Sequence, residues 1–97
     1  MTDDWIHAET QPRDALARLH RFSMTKHQDG REIDFAITVR EFLPGDDDSQ
    51  RFVAQADKQT NQKTAPYTPI GWGHTLGKAL SECVRGVHRF PYEGDDE

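Results

Sequence analysis

Cys83 is the only cysteine in this 97-residue chain, so no disulfide can close within it, and a reducing setting is the expectation. Long apolar runs are also lacking. None approaches the ~20 residues that a membrane-spanning helix needs. The start Met1-Thr2-Asp3-Asp4-Trp5 has no basic region leading into an apolar stretch, which argues against a secretory signal and leaves the cytoplasm as the expected location. Motifs of chemistry are missing too: there is no Gly-x-Ser-x-Gly, Walker or complete dinucleotide-binding pattern, and no His-x3-His or Cys-x2-Cys pair. The sequence therefore calls for no catalytic residue, metal or cofactor. Apolar residues make up only 34% of the chain, which suits one modest two-layer core and no second one.

Charge is plentiful instead. Charged residues are 30% of the total and the formal net charge is −5, which repels phosphate backbones at long range and disfavours nucleic acid as a partner. Two acidic clusters stand out, Asp46-Asp47-Asp48 and Glu93 with Asp95, Asp96 and Glu97. The first lacks the distal glutamate of a calcium loop and reads as a solvated turn. The second reads as an acidic tail over 93–97. With residues 1–9 showing no sustained period and taken as a flexible N-terminus, a single domain is expected over 10–92.

Hydrophobic periodicity gives the expected elements. Thr10-Gln11-Pro12 resembles a helix start, and Ala15, Leu16, Leu19 and Phe22 follow at helical spacing, predicting a short helix over about 12–20. The period then changes to two, and Asp29-Gly30 supplies a hairpin turn. Ile33, Phe35, Ile37 and Val39 alternate with Asp34, Thr38 and Arg40, which describes a half-buried antiparallel strand. A third strand is expected over 51–59, with Phe52, Ala54 and Ala56 on its apolar face. Residues 60–69 read as a long loop, with a short edge strand around 67–72. Finally Thr75 caps a helix in which Leu76, Ala79, Leu80, Cys83, Val84 and Val87 make one apolar stripe, stopped by Pro91. Gly77 is expected to approach the sheet closely and Gly86 to mark an early end or a kink. The predicted fold is α+β, in the order α-β-β-β-α, with a three-stranded antiparallel sheet packed against a C-terminal amphipathic helix.

The five histidines, His7, His20, His27, His74 and His88, are scattered one per element and read as surface or boundary residues. His20 suits the negative end of the first helix. Cys83 lies between Leu80 and Val87 on the apolar stripe and reads as a small core residue rather than a nucleophile.

The run Gly73-His74-Thr75-Leu76-Gly77-Lys78-Ala79-Leu80 resembles the Gly-x-Thr-Leu-x-x-Ala-Leu helix start of HicB-type antitoxin modules, and the similarity extends loosely over residues 35–87. The resemblance implies a partial ribonuclease-H-like sheet and a protein-binding regulator whose partner is a small ribonuclease toxin. Departures lie in the approach, Tyr67-Thr68-Pro69-Ile70-Gly71-Trp72, and in Gly77-Lys78 where the family carries an acidic pair. The α-β-β-β-α order is also similar to a double-stranded-RNA-binding domain, although Lys78 alone stands for the lysines that grip phosphates there.

These observations lead to one expectation: a small, acidic, non-enzymatic interaction or regulatory module that binds a partner protein. A homodimer is compatible with it. The residues expected to meet the partner are Tyr67, Ile70, Trp72, His74, Lys78, Glu82 and Arg85, because aromatic anchors on a glycine- and proline-bounded approach are common binding material. Two alternatives are a nucleic-acid-binding domain of double-stranded-RNA-binding type and an acidic, phosphate-mimicking inhibitor of a nucleic-acid enzyme.

Overall fold

A computed structural model describes residues 5, 8–9, 11, 16–43 and 51–94 of the chain. Their order is β1 (Ala17–Gln28), β2 (Arg31–Phe42), β3 (Phe52–Ala56), β4 (Ile70–Gly73) and α1 (Leu76–Arg89). The strands form one antiparallel sheet in the order β1-β2-β3-β4. The fold is thus α+β, with four strands and one helix among the described residues.

The predicted helix over 12–20 is not formed where it can be seen. Residues 12–15 lie outside the described residues, and 17–20 begin β1. The reason is the hairpin that follows. Asp29 and Gly30 take φ of 51° and 77°, the left-handed pair of a type I′ turn, which sets the register and lets twelve residue pairs zip between β1 and β2. Ladder pairing on this scale outweighs a local cap and a few helically spaced apolar residues, and Leu19 and Phe22 consequently point to opposite faces. His20 is accordingly no helix terminus: its Nε2 lies 2.9 Å from Glu41 Oε1, and Arg51 Nη2 donates to the other oxygen of that carboxylate at 3.2 Å.

Alternation in β2 places Ile33, Phe35, Ile37 and Val39 on the inner face, where they meet Phe52, Ala54 and Ala56 of β3 and Ala79, Cys83 and Val87 of α1. The edge strand expected near 67–72 forms as β4, and the third strand is shorter than expected. Thr75 caps α1 through its Oγ1, which accepts Lys78 N–H at 3.1 Å.

The glycines behave differently from expectation. Gly77 has open space around it, whereas a Cβ on Gly71 would run into the Ala79 carbonyl oxygen and stand 2.6 Å from Cys83 N. Gly73 similarly faces Lys78 and Ala79 N. Gly86 does not end the helix, which runs on to Arg89; it admits the Tyr67 hydroxyl, 2.9 Å from where its Cβ would lie. The bare inner face of β4 therefore receives the helix backbone directly.

A helix about 10–12 Å wide cannot span four strands whose outer axes are roughly 14 Å apart. Seated on β4 and β3, α1 leaves the inner face of β1 to other covers. At one end Lys26 reaches across, donating to Val87 O at 2.9 Å and Phe90 O at 2.8 Å, and burial lowers its pKa. Beside it Gln28 exchanges two hydrogen bonds with the backbone of Tyr92, whose ring stands edge-on to Phe35. Glu93, assigned to the acidic tail, is tied to Gln62 and Lys63. In mid-strand Phe22 remains 37% exposed although it lies on the inner face. The stripe of α1 divides in the same way. Ala79, Cys83 and Val87 are buried, while Leu76, Leu80 and Val84 are only partly covered.

Candidate functional site

The sheet face turned away from α1 carries the most exposed large apolar side chains. β4 makes this unavoidable. In Ile70-Gly71-Trp72-Gly73 the glycines occupy the inner side under the helix, so both large residues must point outward. The ladders then align two rows across all four strands, Leu19–Arg40–Val53–Trp72 and Arg21–Thr38–Gln55–Ile70. Leu19 is 52% exposed, Trp72 43% and Ile70 37%. Leu19, Arg21, Arg40 and Val53 border a shallow depression on this face. Beyond the second row Asp57 closes the polar end, its carboxylate accepting Ala36 N–H at 3.0 Å.

Arg21 and Arg40 are the cations of the face, and neither guanidinium is paired among the described residues. Val53, Trp72 and Ile70 make an apolar end over β3 and β4, Leu19 stands at the far edge on β1, and the unpaired donors Arg40 and Arg21 lie between Val53 and Leu19 and beside Leu19. The face can take an apolar side chain against Trp72 and Val53 and a carboxylate or phosphate against the guanidinium groups.

The seven residues expected to meet a partner are split by the fold. Ile70 and Trp72 stand on the open face. Tyr67 is half-buried behind it, bridged to Thr60 and packed edge-on against Phe90 with ring centroids 5.2 Å apart. His74 is exposed in the turn before the helix. Lys78 and Glu82 form an i,i+4 ion pair at 3.5 Å on the outer side of α1. Glu82 also accepts the Trp72 backbone N–H at 3.3 Å, and this bond, assisted by Lys78 and Arg85, holds its carboxyl below the usual range. Arg85 borders a shallow groove with Tyr67, Ile70 and Arg89.

Leu19, Arg21 and Val53 were not among the expected contacts. Arg40 and Thr38 were legible as the outward set of β2, but Leu19 and Arg21 fell within or beside a segment read as helix. Cys83 is fully buried with its thiol 3.6 Å from Pro69 O, and burial pushes its pKa up to about 11. Among the described residues no three His, Cys, Asp or Glu side chains gather as a metal site, and no helix is long and apolar enough to cross a membrane. The aspartates 46–48 and the acidic residues 95–97 lie outside the described residues. Comparison with protein families, with curated proteins and with solved structures finds no match to this chain.

Proposed function

We propose that this chain is a non-enzymatic interaction module that holds a partner protein against the open face of its sheet, with Trp72 as the central anchor. One observation carries this reading: Leu19, Trp72 and Ile70, three of the most exposed large apolar side chains, lie in two adjacent rows of one face. Trp72 and Ile70 stand together on β4 with Val53 beside them, and exposed apolar groups of this kind mark interaction sites, where tryptophan and arginine most often dominate. Arg21 and Arg40 suit a partner with carboxylates beside its apolar contact. The HicB-type resemblance over Gly73–Leu80 makes a small ribonuclease toxin the first partner to try.

Affinity capture from the native cell with wild-type and Trp72→Ala baits tests the proposal. The expected result is a protein retained by the wild type and lost by the variant, with both baits melting at the same temperature. Equal retention, or a variant that no longer folds, overturns the assignment of Trp72 as an anchor.

A second reading is favoured by the two guanidinium groups on the same face as Trp72: a single strand of nucleic acid stacking one base on the indole and running across the sheet towards Arg40 and Arg21. Its support lies on the sheet rather than on α1, where Lys78 is paired with Glu82. Titration of single-stranded oligonucleotides at low salt, followed by the fluorescence of Trp72 in a Trp5→Phe background, decides it. Unchanged fluorescence at high micromolar oligonucleotide removes this reading.

A further inference from the structure

The outer edge of β1 is the longest unpaired backbone in the described structure. In a two-residue hairpin the flanking residues exchange both hydrogen bonds, so Gln28 and the even-numbered positions of β1 face β2. Ala17, Leu19, Arg21, Ser23, Thr25 and His27 therefore turn their backbone groups outward, and none of these groups is bonded among the described residues. The opposite edge is different. β4 is four residues long, and its outward Trp72 N–H is already taken by Glu82.

We propose that two copies of this chain pair through antiparallel β1 edges about a twofold axis at Phe22, joining the two sheets into one. An edge that pairs with its own copy is self-complementary and closes as a dimer, whereas the short, bonded β4 edge offers no head-to-tail alternative.

Charge bears on the choice of occupant. β1 carries Arg18, His20, Arg21, Lys26 and His27 and no acid, which would suit an acidic strand from another protein if those charges were unbalanced. They are largely engaged within the protomer. His20 is bonded to Glu41, His27 lies 3.7 Å from Glu32, Lys26 binds the carbonyls ending α1, and Arg18 has a contact of its own. Arg21 alone remains. A register centred on Phe22 sets Arg21 opposite Ser23 of the second copy and Leu19 opposite Thr25, whereas one centred on Arg21 would set that residue against itself.

The same register explains Phe22. It would face Phe22 of the second copy at a non-hydrogen-bonded position, where paired Cα atoms approach to about 4.5 Å and side chains are closest. Its exposed ring on the inner face would then be covered by its own counterpart, with Met24 beside it.

Sedimentation equilibrium of the full chain is expected to give twice its 11.1 kDa mass at high micromolar concentration. Ser23→Pro removes an outward N–H and places a ring on the pairing edge, a change that a solvent-facing edge position tolerates in the monomer. It is expected to halve the observed mass while leaving the circular-dichroism spectrum unchanged. In a Cys83→Ala background, Phe22→Cys is expected to form an intermolecular disulfide under mild oxidation, since that cross-strand spacing suits one. A wild type that stays monomeric, or a dimer indifferent to Ser23→Pro, overturns the proposal. A Ser23→Pro dimer loss without a Phe22→Cys crosslink overturns the Phe22-centred register.

Discussion

Along β4 the helix backbone lies almost on the strand, because Gly71 and Gly73 present no side chains to it, and Glu82 then reaches round to bond the Trp72 N–H. Along β1, twelve residues long, Phe22 stands partly bare on the inner face, and among the described residues the side-chain bonds from β1 to the end of α1 and to Tyr92 gather at one end, through Lys26 and Gln28. The difference teaches where a single helix goes. It settles where Cβ atoms are missing, since close approach there buries most surface on both partners, and its own width then leaves the far strand uncovered.

The most damaging way to break this asymmetry is at Gly71. Gly71→Ala forces a Cβ onto helix backbone that has no flexible end to move, and a loss of about 3 kcal/mol is expected in urea denaturation. Gly77→Ala is the matched control. It has open space, so a gain of about 0.5 kcal/mol is expected, less than the mid-helix value of about 1 kcal/mol because the position lies in the first turn. Equal effects at the two sites would refute the close-packing account.

Next in size is Lys26→Met, which keeps the apolar stem and deletes the bridge from β1 to the carbonyls of Val87 and Phe90. A loss of about 2 kcal/mol is expected, together with faster amide exchange in the last turn of α1. Unaltered exchange there would show that the ammonium does not hold the helix end.

The smallest effect at neutral pH is read at Cys83, inside the seal between α1 and β4. Its folded pKa of about 11 exceeds the ordinary 9.0, so the folded state keeps a proton that the unfolded chain releases. The corresponding stability is full below pH 9 and is lost as pH rises towards 11. Urea midpoints of the wild type should therefore fall more steeply over that interval than those of Cys83→Ala. Parallel curves would mean that the thiol is reached by solvent.

Much of the fold is legible from residue patterns. The Asp29-Gly30 turn, the alternation from Ile33 to Val39 and the Thr75 cap are local statements, and the structure agrees with each. Only the second half of the first strand was legible, from the alternation of Phe22 and Met24 with Arg21 and Ser23; its start at Ala17 was not, because Leu16, Leu19 and Phe22 fit a helical period as well as they fit any other. Only a partner strand distinguishes the two, and that partner is supplied by the hairpin after it. Within the candidate site, Trp72 and Ile70 could be picked out as aromatic and aliphatic residues on a glycine-rich approach. Leu19 and Arg21 could not, since they reach the same face only through the β1–β2 register.

By itself the sequence determined the turn, the second strand, the capped helix and the burial of Cys83, because each depends on neighbours within a few residues or on a periodic stripe. The tertiary structure decided which side of the sheet the helix covers, that Gly71 and Gly86 rather than Gly77 are the close contacts, and that Leu19, Arg40, Val53 and Trp72 stand in one row. Those outcomes depend on distances between residues far apart in the chain, and such distances exist only once four strands are in register and a helix has chosen the pair with the least side chain in its way.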